Sequence, residues 1–256
     1  MRILKEGLDF YINTSIHVAI AVYALVQITK LSLNVSTNLN LDYFIFFGTI
    51  VGYNFLKYFE IFWVRVLNFK NSYSIFLVSL IAIFGMIYYF FKLELDFKVS
   101  FLKIGFVVLW YPFLRKYGLL KMFVVAFCVT YISLYIPLSH YGFKGNDIFV
   151  FLLQRFLIVI CLLVPLEIVD VEKDAKTIIT LPQKIGIQNT KFLGYFLLIL
   201  LLVIDFFVLK FYIEVVVAIV ISIFIFFSNE KRSKYYVSFW VESIPVFWWF
   251  LLLIFS

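Results

Sequence analysis

Charge is what this 256-residue chain has least of. Asp, Glu, Lys and Arg together make up 14% of it, against about 25% in soluble globular domains. Hydrophobic residues make up 64%, and the mean hydropathy is +1.05. No polar stretch is long enough to form a separate water-soluble domain, the longest lying at 170–191, so one membrane domain over 1–256 is expected. Cysteine is nearly absent. Cys128 and Cys161 both sit in apolar stretches, which excludes a disulfide framework or a cysteine metal site and leaves two small core residues. His17 stands alone in an apolar run. With Asn13 one helical turn earlier, it suits hydrogen bonding between helices and not metal binding. The first residues, MRILKEG, lack the apolar core and small-residue cleavage site of a signal peptide, so retention of this segment is expected. Strands of alternating polarity and internal repeats are absent too, which argues against a membrane barrel and against a repeat-built transporter.

Present instead are apolar segments at about 11–29, 43–64, 73–91, 100–114, 120–138, 147–169, 191–209, 212–228 and 238–255. Most approach the ~20 residues that a helix needs to cross ~30 Å of hydrocarbon. The expectation is an all-α polytopic bundle of about nine transmembrane helices. The fourth segment is short and ends at Tyr111-Pro112, where proline should break or cap the helix. With the N-terminus inside, fourteen Lys and Arg fall in inside segments, among them Arg115, Lys116, Lys176 and Lys184, and five fall outside. That asymmetry predicts an integral, multi-pass protein with its N-terminus cytoplasmic. The formal net charge of +7 is therefore loop charge and no sign of nucleic-acid binding. The 34 Phe and 17 Tyr reflect a general compositional bias more than a set of aromatic sites.

The longest polar run, Glu167 to Gly186, reads EIVDVEKDAKTIITLPQKIG. Glu167, Asp170 and Asp174 recur at i, i+3 and i+7, so on a continuing helix the three carboxylates share one face. A cation between them would relieve their repulsion. A solvated loop between two helices gives the same charge run. In the second segment Asn54, Lys57 and Tyr58 share a face. Lys57 is either a ligand group or a residue that pairs with Glu60 or snorkels to the border. Arg155, inside the sixth segment, lies too far from Glu167 to pair with it, so it takes a partner from another helix or snorkels outward, in a structural role. Glu214 and Glu242 lie near segment ends and are expected to reach interfacial water. The basic pair Arg115-Lys116 follows Tyr111-Pro112, where it suits an anion such as a diphosphate or simply obeys the positive-inside bias.

These residues resemble a known family. Asp170-x-x-x-Asp174 followed by Thr180-Leu181-Pro182 and Gly186 is similar to the second aspartate-rich motif of the UbiA superfamily of intramembrane prenyltransferases, which includes 4-hydroxybenzoate polyprenyltransferase. Tyr111-Pro-x-x-Arg115-Lys116 is similar to the Tyr-Pro-x-x-Lys-Arg segment between that family's two motifs. The resemblance implies a helix bundle whose cavity opens to the cytoplasmic side and to lipid. It implies transfer of a prenyl group from a prenyl diphosphate to an acceptor, assisted by Mg²⁺. Asp170, Asp174 and Glu167 would hold the metal, Asp170, Asp174 and Lys57 would act in catalysis, and Asn54, Tyr58, Tyr111, Arg115, Lys116 and Lys176 would bind substrate. The family's first motif is matched only at its opening residue, Asn54. Phe55, Tyr58 and Phe62 fill its three carboxylate positions, and Lys57 stands among them. One Mg²⁺ in place of two, with Lys57 as a fixed cation, follows from that departure. Two other functions remain open at this point. One is a degenerate relative that binds an isoprenoid lipid or a partner without chemistry. The other is a small transporter using Lys57, Arg155 and Glu167, against which stands the gathering of acids at one rim.

Overall fold

The computed structural model describes residues 2–36, 38–64, 72–114, 117–139, 141, 146–171, 180–210 and 212–255, and every regular element among them is helical. The elements are α1 (Arg2–Asn13), α2 (Ile16–Ser32), α3 (Leu39–Val64), α4 (Ser72–Lys92), α5 (Leu95–Leu114), α6 (Gly118–Thr130), α7 (Ile136–Ser139), α8 (Asn146–Val169), α9 (Leu181–Ile185), α10 (Ile187–Val203), α11 (Ile213–Phe227) and α12 (Ile244–Phe255). Three π-helical turns extend this set: Tyr131–Tyr135 joins α6 to α7, Ile204–Leu209 prolongs α10, and Tyr236–Val241 precedes α12.

Each of the nine expected segments is helical, since backbone groups in lipid must be satisfied within their own segment. By length and composition six of them qualify as membrane-crossing among the described residues, and a seventh does if the bent pair α1 and α2 is one span. The two that fall short do so for visible reasons. Helix α3 has 26 residues but carries Asp42, Asn54, Lys57 and Glu60. Helix α11 is strongly apolar but has only 15 residues. The first span is not the single helix expected. It bends by 62° between Asn13 and Ile16, with Ser15 left-handed at φ 62°, a conformation costly for a residue with a Cβ. The fourth is longer than expected. Helix α5 begins at Leu95 and carries Pro112 inside its final turn, close enough to the end that few carbonyls lose a partner.

Helix α2 is the bundle's axis, packed against α3 and α12. Ala19, Ala21 and Ala24 on it are buried, and such small side chains let neighbouring backbones approach closely. The largest apolar core joins α8 to α6, α10, α11 and α12 through Ala126, Ile158, Val164, Leu201, Ile221 and Trp248. Outward, α4 exposes Phe76, Ile81, Phe84 and Phe91. An apolar surface of that extent requires lipid.

Candidate active site

Helix direction brings one set of ends together: the start of α2, the ends of α3, α5 and α8, and the turn before α12. Asp170 lies there, half-buried, in the turn that closes α8. Thr180, Leu181, Pro182 and Gly186 on the far side of the loop are local folding signals. Gln183 reaches back at the start of α9, where its Oε1 accepts from the Thr180 N–H at 2.9 Å, which satisfies a donor the helix leaves open. Pro182 sits in the first turn, where no N–H is needed. Gly186 ends α9 at φ 85° and ψ 155°, a region reserved almost wholly for glycine. Gln183 also donates to Val171 O at 2.8 Å, so it ties both ends of the loop together beside Asp170. Asp174 and Lys176 lie outside the described residues, as do Arg115 and Lys116.

The second-segment residues share a face, as their spacing predicts, and that face grips the break in the first span. Asn54, only 4% exposed, donates to Thr14 O at 3.1 Å and to Ser79 Oγ at 2.9 Å, and accepts from Ser15 Oγ at 2.5 Å. Lys57 donates to Ile12 O at 3.2 Å, and the Tyr58 hydroxyl donates to Asn13 O at 2.7 Å. Three successive carbonyls at the end of α1 are thus held by three side chains of α3. A helix C-terminus concentrates such unpaired carbonyls, and a cation is favourable there. Lys57 nonetheless remains exposed, with its ammonium 5.4 Å from the Tyr58 ring centre.

Beside Lys57 stands a residue that sequence reading assigned to interfacial water. Glu242 follows the π-helical turn before α12, and its Oε1 lies 3.5 Å from the Tyr53 hydroxyl. It interacts electrostatically with Lys57 and Asp170. Tyr53 in turn interacts electrostatically with Glu242, Tyr111 and Asp170. The structure therefore gathers Lys57, Tyr111 and Asp170 from the sequence-predicted set and adds Tyr53 and Glu242. The signal for Tyr53 was available, since it precedes Asn54 on the same helix. Glu242 had none in the local sequence. Glu167 sits deeper, 1% exposed, with Oε1 3.0 Å from the Lys121 ammonium.

A second polar group lies toward the other end of the bundle. Arg155, 2% exposed, donates to Leu25 O at 3.0 Å and to Thr29 Oγ1 at 3.2 Å, and lies 5.0 Å from the Trp248 ring centre. Its hydrogen-bond partners on another helix are thus Leu25 O and Thr29 Oγ1 of α2, and Glu214, which is 2% exposed and not at interfacial water, lies near enough to interact with it electrostatically. Arg155 and Glu214 line one small cavity of about 10 Å³ with Gln154 and Trp248, room for about one water. Gln154 donates to Asp205 Oδ1 at 3.0 Å. Asp205 stands in a π-helical turn.

No family model matches the sequence, and none of the curated proteins does. Comparison of structures does find a match. The chain is similar to a solved structure of digeranylgeranylglyceryl phosphate synthase, a membrane enzyme of the UbiA superfamily, over 99% of this chain and 97% of that one, with a TM-score of 0.58 at 16% identity. This chain has a UbiA-like fold. The resemblance read from Asp170 and the Thr180-Leu181-Pro182 segment therefore holds at the level of the whole architecture, including an all-helical, multi-pass membrane bundle.

Proposed function

We propose that the chain is a membrane-embedded prenyltransferase that moves a prenyl group from a prenyl diphosphate to an aromatic or lipid-like acceptor. The observation that carries this reading is the position of Asp170. In a UbiA-like fold, it closes α8 where Lys57, Tyr53, Tyr111 and Glu242 converge from three other parts of the bundle. The site end and the N-terminus are taken as cytoplasmic, on the distribution of Lys and Arg.

The reaction breaks the bond between the allylic carbon and the diphosphate oxygen, and the electron pair leaves with diphosphate. A nucleophilic atom of the acceptor bonds to that carbon, and the acceptor gives up a proton. The residues must therefore stabilise a growing anion, shelter a carbocation and exclude water. The exposed Lys57 ammonium meets the first need as a fixed positive charge. Arg115 and Lys116 follow Tyr111 in the chain and serve the same anion. The ring faces of Tyr53, Tyr58 and Tyr111 suit the second. The apolar lining of the surrounding helices serves the third.

Among the described residues, no three His, Cys, Asp or Glu side chains converge as a metal site. Mg²⁺ often uses only one or two carboxylates and completes its shell with water and substrate phosphates. Asp170, with Asp174 following it in the chain, fits one such ion. Glu167 suits it less, because Lys121 already neutralises it. Bound there, Mg²⁺ would offset the charge of the leaving diphosphate.

A second reading has its own observation. Asn54, Lys57 and Tyr58 all hold α1, so the chain would bind an isoprenoid lipid in the bundle without turning it over. Purified protein in detergent, given labelled prenyl diphosphates, Mg²⁺ and a panel of aromatic and lipid acceptors, separates the two. Transfer that falls at least about a hundredfold in Asp170→Asn and Asp174→Asn is expected from the catalytic reading. Equal turnover in those variants would overturn the metal assignment, and prenyl binding with no transfer to any acceptor would favour the second reading.

A further inference from the structure

We propose that the groove between α5 and the π-helical turn Tyr131–Tyr135 holds the headgroup of a zwitterionic aminophospholipid, with its phosphate at Lys103 and its ammonium at Asp96. The groove lies at the start of α5, the end of the bundle opposite Asp170, and the inference does not rest on the prenyl-transfer reading. Three observations carry it. The first is a cavity of suitable size and lining. A space of about 430 Å³ opens between α5 and the turn that leads into α7, lined by Asp96, Ser100, Lys103, Tyr135 and Ser139. Sites for small ligands run from about 300 to 1,000 Å³. Both walls are fixed. Phe97, Phe101 and Ile104 anchor α5 in a buried core with Ile136, and Tyr135 stacks on Tyr131 with ring centres 4.7 Å apart.

The second is an exposed charge at membrane depth. Helix α5 is long and apolar enough to cross the membrane, and Lys103 is exposed on it, about 12 Å of helix beyond Leu95. No hydrogen bond or ion pair joins the Lys103 ammonium or the Asp96 carboxylate to a described residue. A bare ammonium in hydrocarbon is costly. A lysine there reaches up toward the border, where the anions it meets are lipid phosphates.

The third is the order of groups along the groove. Asp96 stands at the mouth, about 10 Å of helix above Lys103, and the Ser100 and Tyr135 hydroxyls line the wall between them. Beyond Lys103 the same face of α5 carries Phe106 and Trp110. Both are exposed, with ring centres 5.9 Å apart. Acid, hydroxyls, ammonium and apolar strip complement, from the surface inward, the amine, phosphate and acyl chains of one lipid. The carboxylate disfavours an anionic headgroup, and a primary amine donates hydrogen bonds to it that a trimethylated one cannot.

Native mass spectrometry of the full chain tests this. The protein is delipidated in detergent and given dioleoyl phospholipids with ethanolamine, choline or glycerol headgroups. The expected result is a single-lipid adduct that favours the ethanolamine lipid over the other two. Lys103→Met should weaken that adduct about tenfold, the scale of one charge-assisted contact. Asp96→Asn should remove the preference over the glycerol headgroup. Lys210→Met, at an exposed lysine of the same border, should change neither. Equal retention of the three lipids, an unchanged preference in Asp96→Asn, or an adduct as strong in Lys103→Met as in Lys210→Met overturns the proposal. A wild-type preference for the glycerol lipid overturns it too, because the occupant is then an anionic headgroup. If Lys103→Met fails to fold, Ser139→Phe fills the groove and leaves both charges in place. Loss of the adduct then supports the proposal, and retention refutes it.

Discussion

Replacing Arg155 by Met tests whether the polar group remote from Asp170 holds the bundle together as a set of paired charges. The guanidinium is 2% exposed and links α8 to α2 through Leu25 O at 3.0 Å and Thr29 Oγ1 at 3.2 Å. Hydrogen bonds between membrane helices contribute about 0.6–2 kcal/mol each. The contact with Trp248 at 5.0 Å adds up to about 2 kcal/mol when desolvated. Methionine restores part of the packing but none of these contacts. It also removes a nearby positive charge from Glu214, 2% exposed, with which Arg155 interacts electrostatically, and a buried carboxylate that loses such a charge is destabilised further. The carboxyl limits that penalty by taking up a proton instead of staying charged. A total near 4 kcal/mol follows, which at about 2–4 °C per kcal/mol for a chain of this size lowers the melting temperature by roughly 8–16 °C. Thermal unfolding in detergent, followed by intrinsic fluorescence, measures the shift. The decisive variant is Arg155→Met with Glu214→Gln. Removing both charges together should recover at least about half of the loss, because the cost of a stranded buried charge disappears. A single variant within about 2 °C of wild type, or a double variant as unstable as the sum of its singles, would refute the pairing.

Two further outcomes are expected. Lys57→Ala should weaken prenyl diphosphate binding by about tenfold, of the order of one charge-assisted contact. If Lys57 only holds Ile12 O, binding stays unchanged while limited proteolysis near α1 accelerates, so the two measurements separate its roles. Gly85→Ala should cost about 1–3 kcal/mol, because a Cβ there would lie 2.8 Å from Phe47 ring atoms. Since Phe47 stacks on Tyr89, Phe47→Leu should restore the melting temperature of Gly85→Ala, and an unaltered melting temperature in Gly85→Ala alone would contradict the close approach of α3 and α4.

Much of the architecture was legible because lipid leaves the backbone few options. The apolar segments became helices, and the Thr180 to Gly186 pattern became a capped, glycine-terminated turn, each for a local reason. What escaped was tertiary. The run from 11 to 29 carries no proline or glycine, so nothing in it announces a bend at Thr14 and Ser15. The break is held from outside, by Asn54, Lys57 and Tyr58 of α3. Those three residues drew attention because polar groups in a membrane helix demand partners, and that demand was real. Its partners were backbone carbonyls laid bare by a break that could not be seen. Glu242 drew less attention for a different reason. Near a span end an acid reads as interfacial, and only the π-helical turn and the arrival of α3 place it beside the Tyr53 hydroxyl.

The same comparison argues for one metal ion instead of two. Two divalent ions on one diphosphate need several carboxylates that are not already neutralised, because each ion must be drawn from water by charge. Glu167, placed to join such a set, has its charge matched by Lys121 at 3.0 Å. The carboxylate positions of α3 hold Phe55, Tyr58 and Phe62, with the Lys57 ammonium exposed among them. Lys121 thus offsets Glu167, and Lys57 lies on α3 beside Tyr58. A lysine is a fixed single charge that no chelator removes. If this exchange is the site's design, the concentration dependence of Mg²⁺ in diphosphate binding should fit one ion per site, and Lys57→Met should not be rescued by excess Mg²⁺. Rescue at high Mg²⁺, or a two-ion dependence in the wild-type protein, would refute the exchange of a metal for a lysine and leave Lys57 to the grip on α1 alone.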